Sequence, residues 1–258
     1  MNIEFAKYQA TGNDFILIDN RTRKIHLAPK QIQRLCHRKL GIGADGLILI
    51  EPSEQADFFL NYYNSDGSQS LCGNGSRAGV HFAQQLGIIK NTTTFEAYDG
   101  PHKATFLPNN RIRIALHRVN SAERHPDGLF IHTGSPHFIK WVQQLEHFPV
   151  VPEGRAIRHD RRFEAQGGTN VNFAETLPGN TIAVRTYERG VEDETLSCGT
   201  GVTAAALAAA WQHGYTSPVH ITTRGGSLEV EFSKQNESFD NIFLTGPAEQ
   251  VFTGQINL

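Results

Sequence analysis

The chain has 258 residues, room for one large domain or two small ones with separate cores. Its 39% hydrophobic and 19% charged residues are ordinary for a water-soluble globular protein, and a formal net charge of −2 excludes both a basic nucleic-acid surface and a strongly acidic tail. Its most apolar stretch, Val202 to Trp211, is far shorter than the ~20 residues a bilayer span needs.

In chain order, the opening MNIEFAKYQATGNDF has no basic segment followed by an apolar run, so the expectation is a chain without a signal peptide in a cytoplasmic setting. Phe15–Asp19 reads as a strand. Pro29 suits the first turn of a helix; Ile32, Leu35, Cys36 and Leu40 follow at helical spacing, and Gly41 ends it. Gly46–Glu51 and Phe58–Tyr63 are further strands, and a helix follows Cys72. In the second half Val171–Ala174 and Ile182–Tyr187 read as strands and a helix follows Cys198. That last helix has almost no polar face between Val202 and Trp211, and a helix apolar all round is a buried one. Val219–Thr223, Leu228–Phe232 and Ile242–Leu244 complete the strands, separated by Gly, Pro or Asn.

The chain also repeats itself. Thr11-Gly12-Asn13-Asp14-Phe15-Ile16 is echoed by Thr133-Gly134-Ser135-Pro136-His137-Phe138-Ile139, and Cys72-Gly73-Asn74-Gly75 by Cys198-Gly199-Thr200-Gly201. Gly87 and Gly214 close the segments after the two cysteine motifs. Three matches in one order, offset by about half the chain, point to a duplicated unit. The expected fold is α/β (α+β): two pseudo-symmetric domains, each a strongly curved mixed β-sheet wrapped around a central helix. Domain boundaries are expected at 1–116 plus 248–258 and at 117–247.

Three cysteines in a cytoplasmic chain do not make a disulfide framework, and without Cys-x-x-Cys or ligand-spaced histidines no metal site is expected. Cys36 lies on the apolar stripe of its helix and reads as core. Cys72 and Cys198 each open a helix beside glycines. Glycine permits positive φ and close approach of a ligand, and a helix N-terminus favours a thiolate and binds a carboxylate. One such motif could be a structural cysteine beside a turn; two in matching places favour function. Gly41-Ile-Gly43-Ala-Asp-Gly46 fits a dinucleotide spacing but leads from helix to strand, the reverse of what that motif needs. Gly199-Thr-Gly201-Val-Thr-Ala204 opens a helix without a βαβ context, so a nucleotide site is not expected. Asn13, Asn64, Asn74, Asn170 and Asn172, with Glu188 and Arg189 ahead of Cys198, suit a substrate bearing carboxylate and ammonium groups.

Taken together, Ala10–Phe15, Gly41–Gly46, Asn64–Gly67, Cys72–Gly75, Thr169–Phe173, Tyr187–Gly190 and Cys198–Gly201 resemble the diaminopimelate epimerase family over nearly the whole chain. The resemblance implies interconversion of LL- and meso-2,6-diaminopimelate in lysine and peptidoglycan precursor synthesis, by a homodimer that needs neither pyridoxal phosphate (PLP) nor metal. It implies that the last strand returns to the first domain. By position, Cys72 and Cys198 are the two bases. Asn13, Gly73, Asn74, Gly199 and Thr200 are implied for the reacting carboxylate and ammonium, and Asn64, Asn170, Glu188 and Arg189 for the distal centre. His137 is kept. Ser135 departs from the Gly-Asn-Pro-His of better-known members, which puts a substrate contact from that position in question. Two other readings stay open on the residues alone: another two-base enzyme, such as a proline-, hydroxyproline- or histidine-type racemase or a phenazine-pathway isomerase, and a non-catalytic ligand-binding or redox-sensing protein.

Overall fold

A computed structural model describes residues 2–258. The chain divides into two compact units, one running to Ile114 and resuming at Gly246–Leu258, the other spanning Ala115–Thr245.

In the first unit β1 (Asn2–Ala10) and β2 (Asn13–Asp19) form an antiparallel hairpin. Its turn needs left-handed backbone at Thr11 (φ 50°) and Gly12 (φ 84°). Helix α1 (Pro29–Cys36) lies in the crossover to β3 (Gly46–Glu51), which runs parallel to β2. β4 (Phe58–Asn64) returns antiparallel to β3 and leads to α2 (Gly73–Gln85). β5 (Thr92–Ala97) is parallel to β4, and β6 (Gly100–Leu107) and β7 (Arg111–Leu116) follow as antiparallel neighbours. The closing strand, β17 (Glu249–Asn257), pairs antiparallel with β1 from Asn2↔Asn257 to Gln9↔Glu249.

The second unit follows the same plan. A short β8 (Glu123–His125) precedes β9 (Gly128–His132) and β10 (Pro136–Trp141), an antiparallel pair turning at Gly134 (φ 97°). α3 (Val150–Arg158) lies in the crossover to β11 (Asn170–Leu177), which is parallel to β10. β12 (Thr181–Glu188) returns antiparallel, and after β13 (Asp193–Thr195) comes α4 (Gly199–Gln212). β14 (Val219–Thr223) is parallel to β12, with β15 (Gly226–Gln235) and β16 (Ser238–Pro247) antiparallel beyond it. The two units thus repeat one sequence of strand senses, with one helix in the crossover and one at the centre.

Each sheet is mixed and folds around its central helix. α2 touches strands β1 to β4, β6 and β17, and α4 touches β9 to β12, β14 and β15. Val202 to Ala210 of α4 are all buried, so this helix is stabilised by burial on every side. Alanine keeps it slim enough for strands to approach all round. α2 makes the same fit with glycine: a Cβ on Gly79 would stand 2.5 Å from Leu60 Cδ1.

One element differs from expectation. α1 ends at Cys36, and Leu40 is not on its buried stripe but 58% exposed. His37 adopts extended backbone (ψ 119°), and its Nδ1 accepts from the Lys39 and Leu40 N–H groups, folding the segment into a turn. Gly41 is needed there because a Cβ would lie 2.0 Å from the Arg34 carbonyl oxygen. Among the described residues no helix is long and apolar enough to cross a membrane.

Candidate active site

Cys72 and Cys198 are the N-cap residues of α2 and α4, with nearly the same backbone: φ −125°, ψ 112° and φ −122°, ψ 114°. Each is a thiol on the strand-to-helix approach of its own unit. The first N–H groups of a helix lack intrahelical partners, so both sulfurs sit at the positive end of a helix. The glycines do not act through positive φ, as the sequence suggested: Gly73, Gly75, Gly199 and Gly201 are ordinary helical residues, absent from the left-handed positions of the chain. Space is the reason in the second loop. A Cβ on Gly201 would stand 2.3 Å from Asn172 Oδ1.

Around Cys72 the contacts fix two amides. Cys72 Sγ accepts from Gly75 N–H at 3.3 Å and lies 3.7 Å from Asn13 Oδ1. Asn13 can present that oxygen because its amide nitrogen donates to Asp45 at 2.5 Å. Asn74 Nδ2 also donates to Asn13 Oδ1, at 3.5 Å, and Asn74 Oδ1 accepts from Arg77 at 3.0 Å. Asp45 in turn belongs to a charged network: Arg38 bridges Asp14 (2.8 Å) and Asp45 (2.7 Å), and Lys7 pairs with Asp14 at 2.7 Å and donates to the Gly43 carbonyl. Burial pushes the Asp14 carboxyl up, but the bonds from Arg38 and Lys7 overcome it and hold it at about 2. Burial and the neighbouring Asp14 charge push Asp45 up. Cys36 stands apart, in the core, where burial pushes its thiol up to about 12.

The second cysteine has a different neighbourhood. Cys198 Sγ makes no cap bond to its helix; it lies 3.6 Å from Thr200 Oγ1. His137 Nε2 is 2.9 Å from the same hydroxyl, and its Nδ1 is 3.1 Å from Asn172 Nδ2. Asn172 is oriented by two further bonds: its oxygen accepts from Thr186 at 2.9 Å, and its nitrogen donates to the Phe138 carbonyl at 3.4 Å. Nδ1 of His137 therefore accepts and Nε2–H donates to Thr200. The Thr200 hydroxyl thus stands between the imidazole and Cys198 Sγ. Burial pushes His137 down to about 3, with His132 and Arg189 adding to it, so this histidine is neutral throughout the working range.

The other predicted residues lie nearby within each unit. Asn64 ties the approach to Cys72, donating to Ser68 Oγ at 3.0 Å and Ser70 Oγ at 3.2 Å. Asn170 is buried, with its amide nitrogen given to Ser135 Oγ and the Pro136 carbonyl, both at 2.9 Å. Its oxygen accepts from the Arg189 N–H at 2.9 Å. Ser135 thus acts as the acceptor that aims Asn170. Glu188 accepts from Thr195 at 2.9 Å. Arg189 is half-buried, and its Nη1 donates to the Gln166 carbonyl at 2.9 Å. Burial, then the charge of Arg158, push it down. Among the described residues it has no carboxylate at ion-pair distance, so its site favours an incoming anion.

Known proteins resemble the chain over nearly its whole length. The family described as diaminopimelate epimerase matches residues 5–119 and 129–251. The chain belongs to the diaminopimelate epimerase family. It is 50% identical to the diaminopimelate epimerase of Flavobacterium psychrophilum, over 97% of this chain and 98% of that protein. It is 43% identical to that of Chlorobaculum tepidum, over 96% and 98%. A solved structure of a phenazine biosynthesis protein from Bacillus anthracis superimposes with a TM-score of 0.77 at 15% identity, covering 100% of both chains. A hydroxyproline epimerase from Agrobacterium vitis does so at 0.72 and 15%, covering 100% of this chain and 93% of that one. At such identities these two structures show a shared fold.

Several residues of this family member that shape the site were not singled out in the sequence. Asp45 sits in the Gly41–Gly46 motif, and Arg77 is the one Lys or Arg of α2, among glycines, amides and apolar residues. Both read as ordinary surface charges in sequence. Thr186, the partner of Asn172, is one of many strand threonines. Asn172 was marked as polar near the cysteines, but its role in setting the His137 tautomer needs the β10–β11 pairing, which places Ile139 opposite it.

Proposed function

We propose that this chain interconverts LL- and meso-2,6-diaminopimelate, with Cys72 and Cys198 as the acid–base pair on opposite faces of one Cα. The observation that carries the reading is the matched pair of cysteines, each capping the central helix of its unit in the same backbone conformation. A thiolate on one face takes the α-proton; the thiol on the other face returns one; the second sulfur is left as thiolate, ready for the reverse reaction. Both proton-transfer groups are side chains, so the reading needs neither PLP nor metal. Acid and base groups in place give about 10²–10⁴-fold each. Helix N–H groups aimed at the reacting carboxylate stabilise the carbanion's charge as it develops.

Asn13, Gly73, Asn74, Gly199 and Thr200 hold the reacting carboxylate and ammonium, and Asn64, Asn170, Glu188 and Arg189 hold or aim the distal centre. Within this set Asn64 and Asn170 act mainly by fixing loops, because their amides are engaged within the protein. Thr200, presented by His137, supports Cys198. The enzyme works in the cytoplasm, in lysine and peptidoglycan precursor synthesis, as a homodimer. Support for the dimer comes from β17, where Val251 and Phe252 are 57% and 47% exposed on one strand.

The test is epimerisation of LL-diaminopimelate, followed by chiral separation, beside lysine, alanine and proline. Turnover of diaminopimelate alone, lost in Cys72→Ala and in Cys198→Ala, is expected. Turnover of proline, or full activity in either cysteine variant, overturns the reading.

A further inference from the structure

The two cysteine loops share a backbone and differ in what stands behind them. Five residues after Cys198, Thr203 turns its hydroxyl back to the Gly199 carbonyl at 2.9 Å. Five residues after Cys72 the corresponding position is Arg77, which is 0% exposed. Its Nη2 donates to Thr11 Oγ1 and Asn74 Oδ1, both at 3.0 Å, and its Nε to the Pro247 carbonyl at 3.3 Å. Among the described residues Nη1 has no hydrogen-bond partner. All its acceptors are neutral.

A buried guanidinium without a carboxylate is costly. Carboxylates on or beside the strands that α2 touches are engaged elsewhere. On β2, Asp14 is held by Lys7 and Arg38; ahead of β3, Asp45 is held by Arg38 and Asn13; on β17, Glu249 accepts from Gln9. His81, a turn further along α2, is pushed down by burial and contacts Tyr8 at 3.2 Å. Burial also pushes Arg77 down to about 10, so it stays charged at neutral pH, and the charge that favours its protonation is that of Cys72. Such an interaction is mutual: a cation favoured by the thiolate favours the thiolate.

We propose that Arg77 is a positioning residue for the first base: its buried, unneutralised charge stabilises the Cys72 thiolate, and its bond to Asn74 Oδ1 turns the Asn74 amide nitrogen toward Asn13 and the cysteine. In the second loop Cys198 instead meets the Thr200 hydroxyl, which neutral His137 holds. The two thiols are therefore tuned by different means, one by a fixed charge and one by a hydrogen-bond relay. This inference rests on the reading of Cys72 as a base, but its test does not require turnover.

The experiment follows alkylation of Cys72 by iodoacetamide across pH, by peptide mass spectrometry, in the full chain carrying Cys198→Ser and Cys36→Ser. Arg77→Met fills the volume without the charge. It is expected to slow alkylation at pH 7 about tenfold and displace the rate curve to higher pH by about one unit, as loss of a close opposite charge does. Arg77→Lys keeps the charge without the fork and is expected to restore the curve. Thr11→Asp provides a second route should Arg77→Met fold poorly. Thr11 has φ 50°, which aspartate tolerates, and a carboxylate there neutralises Arg77 in place. It too is expected to shift the curve upward. A curve unchanged in Arg77→Met, or in Thr11→Asp where only that variant folds, overturns the proposal. If the wild type fails to epimerise diaminopimelate while the curve still shifts, the proposed activity falls and the role of Arg77 stands.

Discussion

The two glycines at matched places in the loops, Gly75 and Gly201, should respond differently to alanine. A Cβ on Gly201 would stand 2.3 Å from Asn172 Oδ1 and 3.3 Å from Cys198 Cβ. Asn172 is fully buried and cannot retreat without losing the bond from Thr186 at 2.9 Å or that to His137 at 3.1 Å. A buried polar group left unpaired costs about 1–3 kcal/mol, and two groups are at risk. Alanine returns about 1 kcal/mol of helix propensity. The net expectation for Gly201→Ala is a loss of about 1–5 kcal/mol. A Cβ on Gly75 meets Cys72 Cβ, Ile48 and Tyr62 at 3.4 Å, close to ordinary contact, so the propensity gain should cancel the small crowding. Calorimetry reads both: a 150–250-residue protein moves about 2–4 °C per kcal/mol, so Gly201→Ala should melt about 2–20 °C lower and Gly75→Ala within about 2 °C of wild type. Equal melting temperatures for the two variants would refute the reasoning.

Acid stability should depend on His137. Its folded-state value, about 3, lies below the ~6.5 of an unfolded histidine, so the unfolded state binds more protons between them. Stability is then fully present above about pH 6.5 and falls as pH drops toward 3, by at most about 1.4 kcal/mol per unit from this residue. Urea unfolding at pH 7 and 4.5 should show a shallower loss in His137→Gln; His81, also depressed by burial, adds a slope of the same sign that the variant retains. Asp14, held at about 2, contributes only below about pH 4 and does not blur this window. For Arg189, removal of the cation should cost specificity: in Arg189→Ala the ratio of kcat/KM for diaminopimelate over lysine should fall by about one to two decades, as loss of a charge-assisted bond worth about 1.5–3 kcal/mol implies. Arg189→Lys should not restore it, because an ammonium lacks the planar fork; an unchanged ratio in Arg189→Ala would place specificity elsewhere, with Ser135 and its hold on Asn170 the next position to change.

Much of the frame was legible because its signals are local. Gly46–Glu51 and Val219–Thr223 are strands with the bounds read from sequence, and α2 and α4 begin right after the two cysteines. α4 declared its burial through its apolar circumference. The repeat of Thr-Gly and Cys-Gly motifs mirrors a repeated order of strand senses that composition alone could not show. What escaped was context-dependent. β5 (TTTFEA) and β6 are half-exposed strands with polar alternation, and α3 (VVPEGRAIR) carries Pro and Gly inside a helical turn, against its propensity. α1 was read too long because Leu40 fits the period, and only the His37 turn removes it from the helix. At the candidate site the cysteines and amides announce themselves by spacing. Arg77, Asp45 and Thr186 work through long-range contacts, and a charge in sequence carries no mark of being buried.

The central claim is that two separate thiols serve opposite faces of one carbon, and the position of solvent hydrogen tests it most directly. LL- and meso-diaminopimelate are each incubated with enzyme in D₂O, and the reaction is stopped early, before appreciable product returns. With two bases the proton removed stays on one sulfur while the other sulfur, already equilibrated with solvent, delivers deuterium. The account predicts deuterium at Cα of the product and unlabelled recovered substrate, in both directions. Product that keeps the substrate's own α-hydrogen, as a single base working on both faces would give, would contradict it.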